Sequence, residues 1–393
     1  MTKQSNPEMV TDASSLSDLC ARLRETGRFA FDTEFVGEDG YKPEICLVQV
    51  ATDSLCALID PLAGGLDLAC FWELVTDENI QVIVHAGSED LALCWQQTGK
   101  APAHVFDLQV AAGLIGLGYP TSLMRLARLT LKTRIHKSQT LTDWRKRPLT
   151  TEQIRYAVED VAHLLRMFEF IVERLKAKGR EGWAVQECRA MCDPAIFAPT
   201  GRQKLRRLRG AGSLRPQELA IAEALLDERD KLARAYNRPT RAVLRDHLLV
   251  EMARRGWTDT QQLRSLRGVS LKESALKELA AAISTAKALP ADEWPRLAPE
   301  DDTQQEQALL AFFTAVLRSH CHSNDLAYAL LASKQNLRDF VRRYTRSEKL
   351  DQVQALSEGW RREAVGGLLE DLMAGRSAIR VRCLDGRVQL EVE

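Results

Sequence analysis

The chain has no run of the roughly 18 consecutive apolar residues that a membrane-spanning helix requires, so no helical membrane anchor is expected. Its opening residues, MTKQSNPEMVTDASS, lack the apolar core of a secretory signal. It has no surplus of either charge: 54 Lys and Arg face 54 Asp and Glu, so net charge predicts no partner and any basic patch must be local. The nine cysteines, an odd number scattered through 393 residues, form no disulfide framework and read as reduced thiols of the cytoplasm. Enzyme signatures are missing too. No G-x-x-x-x-G-K-[ST] occurs, since Cys94 stands where the first glycine before Gly99-Lys100 would be and Ala101 follows. GLIGLG at 113–118 does not fit G-x-G-x-x-G, and neither H-E-x-x-H nor G-x-S-x-G is found. A nucleotide cofactor is therefore not expected. Cys188 with Cys192, and His320-Cys321-His322, have no partner pair at finger-like spacing and read as ordinary core or surface residues.

What is present, 45% hydrophobic and 27% charged residues, is the profile of a soluble globular protein long enough for two or three domains. Strand-like runs come first: RFAFDTEF, EICLVQVAT, SLCALID and QVIVHA. A helix then reads from Thr150 to Lys178, with Ile154, Ala157, Val161, Leu164, Phe168, Ile171 and Leu175 at three- and four-residue spacing. Thr150 with Gln153 forms a capping box, and Gly179 a stop. Strands followed by packed helices predict an α/β domain over residues 1–195. The basic run RQKLRRLRG marks a linker at 196–213. Helical segments follow at 214–290 and 302–375, separated by LPADEWPRLAPEDD. The tail at 376–393 alternates around Asp385-Gly386, a two-residue hairpin signal.

Three short patterns carry chemistry. On a strand, Asp32 and Glu34 of FAFDTEF face one side, while Phe31, Thr33 and Phe35 face the other. Two acids on an apolar strand are costly unless neutralised, and hard oxygen ligands suit Mg²⁺ or Mn²⁺. Taken alone, the pair equally fits an exposed edge strand. In HAGSEDLALCW, Ser88 is a candidate N-cap and Asp90 falls in the first helical turn, where the helix dipole already favours an acid. In RYAVEDVAHLL, Tyr156 and Asp160 are four apart and so share one helical face, as they would on any exposed helix.

The order of the three patterns resembles the DEDD exonuclease superfamily, in the subclass with tyrosine in the third motif. GYKPEICLVQVA, HAGSEDL, VFDLQVAA and KSQTLTDWRKRPLTTEQIRYAVEDVAHL are similar to the bacterial ribonuclease D family, over residues from about Arg28 to Met191. LLDERDKLARAYNRPTRAVLRDHLLVEMA with LRSLRGVSLKESALKELAAAI resembles the HRDC domain, and 302–375 resembles a diverged second copy. The resemblance implies a ribonuclease-H-like mixed sheet flanked by helices, then two all-α HRDC-type domains. It also implies two Mg²⁺ or Mn²⁺ ions held by Asp32, Glu34, Asp90 and Asp160. By family analogy Asp32 bridges both ions, Glu34 and Asp160 hold the ion beside the nucleophile, and Asp90 supports the other. Tyr156 orients the attacking water, a role that suits a phenol of ordinary pKa near 10. The implied products are nucleoside 5′-monophosphates, released one at a time from a free RNA 3′ end.

Substrate capture needs local positive charge. Segment 132–147 holds Lys132, Arg134, Lys137, Arg145, Lys146 and Arg147 against Asp143 alone, a balance of +5, and reads either as a phosphate-contacting segment or as a solvated loop. Lys137 and Arg147 are the favoured contacts, with Arg206 and Arg207 of the basic linker holding the body of a folded RNA. Phe35 and Trp144 are candidates to stack on terminal bases. The expected protein is thus a monomeric cytoplasmic exoribonuclease trimming precursor transfer RNA and other small structured RNAs. A DNA 3′→5′ exonuclease and a non-catalytic RNA-binding protein are the alternatives.

Overall fold

The computed structural model describes residues 7–135, 142–297, 302–346, 355–384 and 387–393. Two compact units divide the chain. The first combines residues 1–34, 46–193 and 302–393, and the second combines 35–45 and 194–301.

A six-stranded sheet runs through the first unit in the order β1-β4-β3-β2-β5-β6. Its strands are β1 (Glu8–Val10), β2 (Arg28–Val36), β3 (Glu44–Ala51), β4 (Cys56–Ile59), β5 (Gln81–Val84) and β6 (Val105–Asp107). β2, β5 and β6 are parallel neighbours, whereas β3 and β4 pair antiparallel, which makes the sheet mixed. Helices α1 (Ala13–Thr26), α2 (Ala69–Val75), α3 (Ser88–Thr98), α4 (Leu108–Gly113), α5 (Leu123–Leu131), α6 (Thr151–Val161), α7 (Leu164–Ala177) and α8 (Glu181–Met191) flank it. Phe29 and Phe31, fully buried, pack their rings on Phe71 of α2 at 6.0 and 5.6 Å. That anchorage locks the register of β2, because a one-residue slip would drive both phenylalanines to the opposite face.

The helix read as continuous from Thr150 to Lys178 is two, α6 and α7, with the chain turning at Ala162 and His163. Apolar spacing continues across the break, so periodicity alone does not register it. The Thr150–Gln153 capping box is present, and Gly179 follows α7 at φ +65. Ser88 is the first helical residue of α3 rather than its cap. Gly87 occupies the cap position.

Buried residues between Leu310 and Leu369 share the core of the first unit. Leu310, Phe313, Leu317, Phe340 and Trp360 belong to the same buried cluster as Leu114, Leu126, Leu164 and Phe168. Trp360 stacks on Trp183 of α8 at 5.2 Å, and Arg361 pairs with Glu187. The tail forms an antiparallel pair, β7 (Ile379–Leu384) with β8 (Arg387–Val392), while Asp385 and Gly386 lie outside the described residues.

The second unit is helical around Pro216–Ala235, Asp246–Arg255 and Glu273–Lys287. The segment read as a linker holds a helix, Gly201–Arg207, whose Leu205 is fully buried in that unit's core. Tyr41 also belongs here: its hydroxyl donates to Asp230 at 2.9 Å and accepts from Arg234 at 2.8 Å.

Candidate active site

The two acids of β2 emerge on the face opposite the phenylalanine cluster. One carboxylate oxygen each from Asp32, Glu34 and Asp160 lies within 4.8 Å of the other two. All three side chains are half-buried. Asp160 comes from the last turn of α6, and one turn earlier Tyr156 hydrogen-bonds to it. The Tyr156 ring rests 6.0 Å from the buried ring of Trp144. Asp90, 7% exposed in the first turn of α3, accepts a hydrogen bond from the Thr33 hydroxyl. It stands outside the close trio, yet its charge acts on Asp32 and Glu34 alike.

Without a cation the cluster is electrostatically costly. Burial, then the charges of Asp90, Asp160 and Glu34, hold the Asp32 carboxyl well above the usual carboxylate range. Burial and the neighbouring acids push Glu34 to about 8. Burial dominates at Asp160, raised to about 7, and at Asp90, raised to about 6. The Tyr156 phenol is pushed up by burial and by Asp160, which suits a hydrogen-bond donor and not a base. Converging hard oxygens that repel one another are the donor set a divalent ion satisfies.

The expected basic contacts fare unequally. Lys132, Arg134 and Lys146 are exposed, and Lys137 lies outside the described residues. Arg145 sits 3.1 Å from Asp143. Arg147 is spent internally. Its fork grips Asp60 through two contacts of 2.6 Å, and it also donates to the carbonyls of Cys46 and Trp144 at 2.7 Å. These donors tie the 144–148 turn to the sheet and engage the fork that the sequence reading offers to a phosphate. Trp144 is 5% exposed and backs Tyr156, so it offers no open face for stacking. Phe35 is half-buried. Arg206 and Arg207 are exposed on the Gly201–Arg207 helix, and Arg207 lines a cleft of about 860 Å³ with Arg209, Arg241, Arg245, Arg254 and Arg267. Sequence reading missed this cleft because its arginines are spread over some 60 residues. It also missed Thr33, whose hydroxyl reaches Asp90 57 residues away and so leaves no local pattern.

Comparison with known proteins adds identity to this geometry. The model of the 3′-5′ exonuclease family matches residues 7–176, and that of the HRDC domain matches residues 218–283. The ribonuclease D of Gluconacetobacter diazotrophicus is 32% identical over 96% of this chain and 95% of its own. That of Sphingobium indicum is 32% identical over 97% and 98%. The crystal structure of Escherichia coli RNase D, described as an exoribonuclease involved in structured RNA processing, superposes with a TM-score of 0.80 at 27% identity, covering 94% of this chain and 99% of that one.

Proposed function

The chain belongs to the ribonuclease D family and is a 3′→5′ exoribonuclease of a divalent-metal-dependent superfamily, and on that basis we propose how its own residues divide the work. Asp32, Glu34, Asp90 and Asp160 hold two Mg²⁺ or Mn²⁺ ions. When bound, such ions would lower the pKa of a coordinated water and offset negative charge on the oxygens around the phosphorus. Tyr156 keeps its proton at neutral pH and orients the attacking water, with Asp160 and the Trp144 ring fixing the phenol. Thr33 donates to Asp90 and holds that carboxylate's direction. The observation that carries this reading is the trio of carboxylate oxygens within 4.8 Å, whose neighbours raise each other's pKa values.

The substrate we propose is a structured RNA with a free 3′ end, precursor transfer RNA first among them, cut by a monomer in the cytoplasm. Supporting it are the exposed Lys132, Arg134, Arg206 and Arg207, and the arginine-lined cleft of the helical unit, all suited to phosphates. Further support comes from nine free cysteines, and among the described residues no helix is long and apolar enough to cross a membrane.

The test uses a 3′-extended transfer RNA labelled at its 5′ end, incubated with Mg²⁺, with Mn²⁺ and with EDTA. A ladder shortening from the 3′ end only with metal is expected. Tight binding with no shortening in either metal overturns the assignment, and faster shortening of a matched DNA strand overturns the substrate.

A further inference from the structure

Asp107 is a carboxylate with 1% exposure at the end of β6, in register with Val84 at the end of β5. As N-cap of α4 it accepts from the backbone N–H of Gln109 at 2.7 Å and of Val110 at 3.3 Å. Capping explains those two bonds. It does not explain two more, from Ala86 N–H at 3.2 Å and Gly87 N–H at 3.0 Å, some twenty residues away. These belong to the turn that lifts the chain off β5 into α3. The turn is tightly constrained: Ala86 sits at φ +58, and a Cβ on Gly87 would meet Val84 Cγ2 at 2.6 Å. Three residues on from Gly87 stands Asp90.

We infer that Asp107 is a positioning residue for the nuclease reaction, setting the height of Asp90 through the Ala86–Gly87 turn. One buried carboxylate thereby ties the start of α4 to the start of α3. The side-chain oxygens of Asp90 are aimed from two sides, by this turn through the backbone and by the Thr33 hydroxyl directly. The inference rests on the proposed role of Asp90 as a metal ligand.

Asp107→Ser separates the two duties of the carboxylate. Serine is a competent N-cap and keeps α4 closed, but its single short hydroxyl does not span to the turn. Mn²⁺ binding to the full chain is followed by the paramagnetic signal of the free ion, alongside thermal melting and RNA shortening. Half-saturation by Mn²⁺ is expected to rise on the order of tenfold, the usual effect of losing a residue that orients a ligand. Turnover is expected to return as Mn²⁺ is raised. A lowered melting point with an unchanged Mn²⁺ titration overturns the inference and leaves Asp107 a structural cap. Asp90→Asn is the control. If it leaves Mn²⁺ binding unchanged, the ligand role of Asp90 fails instead. Should Asp107→Ser not fold, Asp107→Asn is read in the same way, and hydrogen exchange of the wild-type chain needs no variant. Ala86 and Gly87 amides as protected as those inside α3 are expected, and rapid exchange there overturns the contact.

Discussion

Two groups of buried and half-buried acids in the same unit behave in opposite ways. At the sheet, Asp32, Glu34, Asp90 and Asp160 face one another and are driven toward protonation. At Asp302 and Glu306, arginines of the Lys334–Thr345 helix and its C-cap supply the counter-charge: Arg338 and Arg342 lie 2.8 and 3.0 Å from Asp302, and Arg346 lies 2.6 Å from Glu306. The Arg346 hydrogen bond pulls the Glu306 carboxyl down to about 2 against its burial. Arg338 and Arg342 outweigh burial at Asp302 and lower it too. A protein that meant its acids only to hold the fold together would give them cations of its own, as it does at 302–306. Acids left to repel one another wait for cations from solution.

Substitution separates the two groups most sharply. Asp32→Asn should cut turnover by more than about a hundredfold, beyond the usual loss for a residue that merely orients a ligand, with RNA binding retained. Glu306→Gln should instead leave turnover per folded molecule intact and lower the melting point, since it strands the Arg346 charge. If Asp32→Asn unfolds the chain while Glu306→Gln does not, the comparison is inverted. Next in size, Tyr156→Phe should lower kcat about a hundredfold with little change in KM, the scale of a misplaced reactant, measured under single-turnover conditions.

Removing and restoring metal probes the same contrast. Magnesium at 100 times its Kd should add about 2.7 kcal/mol of stability to the wild-type chain for each ion bound, and Asp32→Asn should lose most of that gain in melting experiments. In EDTA the two groups also respond to opposite ends of the pH scale. A carboxyl raised in the folded state binds more protons there than in the unfolded chain, so its contribution is full at low pH and lost as pH rises. For Glu34, raised from 4.5 to about 8, and Asp160, raised from 3.8 to about 7, that loss falls between roughly pH 4 and 8. For Glu306, lowered from 4.5 to about 2, stability is present above pH 4.5 and lost as pH falls toward 2. Melting points across pH in EDTA should therefore decline on both sides, and Mg²⁺ should flatten only the upper limb. The smallest effect concerns RNA: removing one phosphate contact, for instance by Arg207→Ala, should reduce the slope of log affinity against log salt by about 0.7.

The site's legibility follows the range of the interactions that build it. Asp32 with Glu34, and Tyr156 with Asp160, are two and four residues apart, so the periods of strand and helix reveal them directly. The strand runs point to an α/β domain, and its mixed sheet is what the family resemblance implies. Arg147 and Asp60 are 87 residues apart, and nothing local distinguishes an arginine bound for a buried carboxylate from one bound for a phosphate. Asp107 was visible only within a matching motif, because its four bonds go to backbone N–H groups that have no sequence signature. The break between α6 and α7 leaves the apolar repeat intact and so leaves no trace in it.

The core that buried residues between Leu310 and Leu369 share with the sheet makes the nuclease unit discontinuous: its chain departs near Asp193 and returns at Asp302. Most of the helical unit, residues 194–301, is an insertion of about a hundred residues into a body that completes itself only afterwards, and residues 35–45 join that unit from earlier in the chain. Shortening such an excursion costs little by itself, because loop-closure entropy changes by only about 0.6 kcal/mol per doubling of length. Cutting the chain after the insertion costs far more, since it strips Phe313, Phe340 and Trp360 from the core. During synthesis the catalytic body therefore lacks part of its buried core until Trp360 has been added to the chain.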